Sequence, residues 1–72
     1  MKTLRKPFTV QLVLTPAVLA RSFGSRREAL RHARHVAGRH RLSAAVWREH
    51  YGPQGQVETV DLVRTIDPDP DG

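Results

Sequence analysis

Apolar and polar positions alternate from Phe8 to Leu14, with Phe8, Val10, Leu12 and Leu14 in one phase and Thr9, Gln11 and Val13 in the other. A period of two with β-branched content predicts a half-buried strand. Farther along the period lengthens. Ala29, Leu30, Ala33, Val36 and Ala37 fall within one arc of about 120° on a helical wheel, an amphipathic stripe. Just before them, Ser25-Arg26-Arg27-Glu28 has the form of a capping box: the Ser hydroxyl accepts from an early helix N–H, and the Glu reaches back. The helix is therefore predicted to begin at Arg26 and to stop at Gly38. Arg27, Arg31 and Arg34 share one of its flanks, while Glu28, His32 and Arg39 share the other.

Two further apolar-rich runs, Ser43 to Tyr51 and Gln56 to Arg64, flank Gly52-Pro53-Gln54-Gly55. A Gly-Pro-x-Gly link between such runs predicts a β-hairpin. With Pro53 and Gln54 as the central turn residues, Trp47 is expected opposite Val60 and Ala45 opposite Leu62, these four forming the core face. Val57 and Val63 fall in the opposite phase, which calls for a bulge or for a sheet covered on both faces. Leu30, Val36, Trp47, Val60 and Leu62 are the expected buried cluster.

Thr15 to Gly24 supports two readings. In one, Thr15-Pro16-Ala17 is a turn and Val18 to Phe23 a second strand; in the other, Thr15 caps a short helix that ends at Gly24. On the helical reading, Leu19, Ala20, Phe23, Gly24, Leu30 and Ala33 resemble the spacing of a helix-turn-helix, which implies DNA recognition. Ser25 departs from that pattern, where an apolar residue usually packs between the helices. Six residues are also short for a freestanding helix. On the strand reading, Arg21 to Ala29 is similar to the strand-to-helix junction of small uncharacterised bacterial and phage β-β-α-β domains. The predicted fold is α+β: a four-stranded antiparallel sheet with one helix on one face, in the order β-β-α-β-β. A winged helix-turn-helix is the alternative.

Length and composition bound what such a fold can do. A chain of 72 residues makes one domain and buries only about 60% of its unfolded surface. Residues 1–7 read as a basic flexible arm, 8–66 as a single α+β domain, and 67–72, with alternating Asp and Pro, as a disordered acidic tail. There is no cysteine, so neither a disulfide nor a thiolate metal site can supplement the core, and a homodimer interface is the expected source of extra burial. No run approaches the roughly 20 apolar residues of a membrane span. The basic start lacks a small-residue cleavage site, so a signal peptide is not expected. These features suggest a cytoplasmic protein, and arginine in preference to lysine beside abundant alanine fits a bacterial or phage origin.

Charge is divided along the chain. Through Arg41 there are ten Lys or Arg against the single acid Glu28, a charge of +9; after it, two arginines face six acids, −4, leaving the net +5. A basic half beside an acidic half suggests encounter with a polyanion or a charged protein. Arg26, Arg27, Arg31 and Arg34 on the helix, with Arg41 and the arm residues Lys2, Arg5 and Lys6, are the candidate nucleic-acid contacts, since guanidinium forks match phosphate oxygens. A protein partner or a second copy is the other expectation. Apolar residues in both strand phases, Val10 with Val13 and Val60 with Val63, exceed what one helix can cover, and Tyr51, Val13 and Val63 are the candidate contacts. Four histidines raise the question of metal. His32 and His35 stand at i, i+3, but no carboxylate or thiolate completes a ligand set, so solvated histidines and no cofactor are expected. No nucleophile elbow, phosphate loop or general-base motif points to an enzyme.

Overall fold

The computed structural model describes residues 5–15 and 20–68. Four strands, β1 (Phe8–Leu12), β2 (Arg21–Phe23), β3 (Ala44–Tyr51) and β4 (Val57–Ile66), form one antiparallel sheet in the order β2-β1-β3-β4. The helix among the described residues, α1 (Arg26–His40), lies across one face. The period-two run does become a strand, and its phase decides where the helix sits. Val10 and Leu12 are buried, Phe8 packs beside them, and Val46 and Ala44 stand opposite Val10 and Leu12 on β3. Against this face α1 sets Ala29, Ala33, Val36 and Ala37, all buried, with Leu30 half-buried at the margin. Alanines on the contact face let the helix approach the sheet closely, and the largest fully buried side chains are only valines, Val10 and Val46. The core is correspondingly thin.

Ser25 caps the helix as its sequence predicts: with extended backbone (φ −130°, ψ 151°), its hydroxyl accepts from the Glu28 N–H at 3.2 Å. The other end differs from expectation. Gly38 does not stop the helix, which continues to His40 and closes at Arg41 in the left-handed region (φ 55°, ψ 39°), its N–H donating to the Ala37 carbonyl. The apolar stripe ends at Ala37, but the last turn needs only exposed positions, and Gly38, Arg39 and His40 are all exposed.

Arg21–Phe23 pairs with β1 through Phe8↔Phe23, Thr9↔Ser22 and Val10↔Arg21. A strand there removes the helix that a helix-turn-helix requires, so the winged alternative does not hold. Residues 16–19, where the earlier part of that segment falls, lie outside the described residues, as do 1–4 and 69–72. β1 ends at Leu12 rather than Leu14; the Val13 N–H still donates to the Ser43 carbonyl at 2.9 Å, and Leu14 beyond it is 74% exposed.

The hairpin keeps its predicted turn but not its predicted register. Gly55 donates to the Gly52 carbonyl at 3.0 Å across Pro53 and Gln54, then takes φ +85°, which shifts the ladder by one residue. Bulges at His50/Tyr51 and Val46/Trp47 each add another slip. Trp47 therefore stands opposite Leu62, Glu49 opposite Val60, and Ala45 opposite Thr65. The expected core face is also inverted. Trp47, Val60 and Leu62 do share a face, but it is the one away from α1, where Val60 and Leu62 are about half exposed (48% and 51%). Val63, expected opposite to them as a surface contact, packs instead against the core with Ile66. The cause lies in β1: with Val10 buried under the helix and opposite Val46, the odd-numbered residues of β3 must point the other way.

Candidate polyanion-binding face and open sheet face

The outer surface of α1 is basic on both flanks. At helical spacing, Arg27, Arg31 and Arg34 surround the half-buried Leu30 and line a concavity of about 290 Å³. All three are exposed, as is Arg26 in the first turn. Among the described residues the close contact between a basic and an acidic side chain is the His50–Asp61 hydrogen bond, 2.7 Å on the hairpin, so none of these arginines is held by a carboxylate. Arg41 does not join them. It caps the far end of α1, about 20 Å from Arg26 at 1.5 Å per residue.

The described part of the arm lies along β3 and beside the start of the helix. Pro7 accepts from the Glu49 N–H at 2.8 Å, and the Arg5 carbonyl lies 3.9 Å from where a side chain on Gly24 would begin. The Arg5 guanidinium stacks over the Tyr51 ring at 4.4 Å from its centroid, a cation–π contact. Lys6 is exposed, and Lys2 lies outside the described residues.

The second flank of α1 carries groups not among the expected contacts. Arg21, His32, His35, Arg39 and His40 line a concavity of about 300 Å³ floored by Val36. The Phe23 and His32 rings are 5.0 Å apart and tilted by 45°, and the Arg21 guanidinium lies 5.5 Å from the Phe23 centroid. Burial first, then the positive charge of Arg21 and the neighbouring His35, holds the His32 pKa below its ordinary value of 6.5. The sequence does carry part of this signal, since His32, His35 and Arg39 recur at helical spacing and Arg21 and Phe23 share a strand phase. It does not show that the short edge strand meets that flank.

On the uncovered side of the sheet, Thr9, Gln11, Trp47, Glu49 and Val60 line a shallow concavity of about 350 Å³. Val57, Val60 and Leu62 expose about half of their surface there. The Trp47 Nε1 is shielded from solvent and has no hydrogen-bond partner among the described residues. Of the three expected partner contacts, Tyr51 lies half-buried under Arg5, Val13 is 49% exposed, and Val63 is taken into the core. Among the described residues no group of three or more His, Asp or Glu is placed to hold a metal ion, and no helix is long and apolar enough to cross a membrane. No protein-family model, curated protein or solved structure matches this chain.

Proposed function

We propose that this chain is a small binding protein and not an enzyme, acting in the cytoplasm, whose basic helix takes a polyanion and whose open sheet face takes a second copy of the chain. Nucleic acid, DNA or RNA, is the polyanion with the best chemical fit. The reading is carried by Arg27, Arg31 and Arg34, exposed on one flank of α1 with no carboxylate partner among the described residues. Arginine presents a planar fork that matches phosphate oxygens, and three at successive helical turns can follow a backbone without reading bases. Arg26, exposed in the first turn of the helix, extends the same field, whereas the Arg5 guanidinium is turned to Tyr51 on the hairpin.

Fluorescence anisotropy with labelled duplex and single-stranded DNA and RNA, at two salt concentrations, tests this reading. Binding should weaken as salt rises, because counterions released from phosphate are restored. The absence of binding to all of these probes at low salt would sink it and move the weight to the sheet face.

That face favours a second contact through one observation: Val57, Val60 and Leu62 are half exposed beside Trp47 in a chain whose single helix covers only the other side. A symmetric dimer sets the same patch against itself. The thin core, Ala and Val apart from Leu12, gives such a contact a thermodynamic motive.

A further inference from the structure

β2 is the short edge strand, and its register places Arg21 beside Val10 and Phe23 beside Phe8, on the side of the sheet that α1 covers. Both side chains consequently meet the helix flank that bears His32, His35 and Arg39. Phe23 is the plate of the arrangement, with the His32 imidazole and the Arg21 guanidinium each within 5.5 Å of its ring centre. Two permanent cations, Arg21 and Arg39, and three imidazoles, His32, His35 and His40, thus converge on one cleft. Among the described residues no carboxylate lines it. Glu28, the acid of α1, belongs to the adjoining concavity with Phe23, Arg31, His32 and His35, and His40 closes the far end of the cleft.

We propose that this cleft between β2 and α1 is an anion site for one phosphate group of a nucleic-acid backbone, held by Arg21 and Arg39 and taken up together with a proton on His32. The inference deepens the polyanion reading and rests on it. Like charges gathered without a counterion repel one another, and a phosphate turns each repulsion into an attraction while accepting charge-assisted hydrogen bonds from guanidinium and imidazolium N–H groups. Without the anion, burial, Arg21 and His35 disfavour a charged His32; Arg39 and His40 line the same cleft and Arg31 the adjoining concavity, where among the described residues Glu28 is the one acid. With it, that balance reverses. Phosphate and proton must then bind cooperatively, each raising the affinity for the other by the same factor. The concavity of Arg27, Leu30, Arg31 and Arg34 contains no histidine, so pH separates the two flanks.

Two measurements on the full chain test the site. NMR of the imidazole protons during titration with inorganic pyrophosphate should show the His32 pKa climbing as the anion is added. Anisotropy with a labelled oligonucleotide should give an affinity about tenfold higher at about pH 5.5 than at about pH 8, the effect of one charge-assisted hydrogen bond. H32Q should abolish that gain, whereas R27Q with R34Q should weaken binding at both pH values and keep the gain. Imidazole signals indifferent to pyrophosphate, or a gain that survives in the histidine variant, overturn the cleft and leave the arginine flank standing. An oligonucleotide that binds at neither pH overturns both.

Discussion

The Arg41 N–H donates to the Ala37 carbonyl from a left-handed backbone, so the position that ends the helix falls on an arginine while Gly38, three residues earlier, sits inside the last turn. Each residue occupies the place that would suit the other. A side chain at φ 55° carries a steric cost of about 1 to 2 kcal/mol, and a glycine inside a helix loses about 1 kcal/mol against alanine. Arg41→Gly should therefore stabilise the domain by about 0.5 kcal/mol once the extra freedom of the unfolded chain is subtracted. Gly38→Ala, where an added Cβ meets nothing within 4 Å, should add about 1 kcal/mol. Urea denaturation of each variant and of the pair checks both values.

Val46→Ala should cost about 2 to 3 kcal/mol, through lost burial and the cavity left under α1. Val46 is fully buried opposite Val10. Leu62→Ala, although it removes more side chain, should cost less than about 1 kcal/mol in the monomer, because Leu62 is 51% exposed on the open face. Equal losses in thermal unfolding would show that the helix lies on the other side of the sheet.

Self-association should double the mass in sedimentation equilibrium and make the melting temperature rise with protein concentration. Leu62→Asp should return the chain to a folded monomer, since it sets a charge in the apolar patch without touching the core. A wild-type protein that stays monomeric at its highest soluble concentration, with dilution-independent melting, rules the dimer out.

His32 gives stability a pH dependence of definite sign. Its folded pKa lies below its ordinary 6.5, so as pH falls below that value the unfolded chain takes up the proton first and stability declines. Above the unfolded pKa the group contributes nothing to the slope. His32→Gln should flatten the pH dependence of the melting temperature between about pH 5 and 7 relative to wild type and leave the slope near pH 8 unchanged.

Local signals were readable from the chain alone wherever one short stretch fixes the geometry. Ser25 and Glu28 mark the start of α1, the alternation after Phe8 marks β1, and Gly52 to Gly55 mark the turn. Arg27, Arg31 and Arg34 likewise share a flank through helical periodicity alone. The inverted sheet face was not readable, because β3 and β4 carry apolar residues in both phases and three single-residue slips intervene between the turn and Ala44. Which phase is buried depends on the pairing of β3 with β1, a contact across some 35 residues of chain that no local pattern records. The Arg21, Phe23 and His32 cluster was hidden for the same reason: it exists only because the edge strand and the helix flank are brought together by the whole fold.

β2 is attached to the sheet through three residue pairs, whereas β4 has eight with β3. Peeling β2 from the edge is thus among the least costly ways for this molecule to open, and the amides around Ser22 should exchange with solvent by that local event well before the amides of Val10 or Val46. Any ligand that bridges Arg21 to the helix fastens this lightly paired edge strand to α1, so its arrival would be recorded as slowed deuterium uptake in a segment that needs to change neither its shape nor its hydrogen bonds.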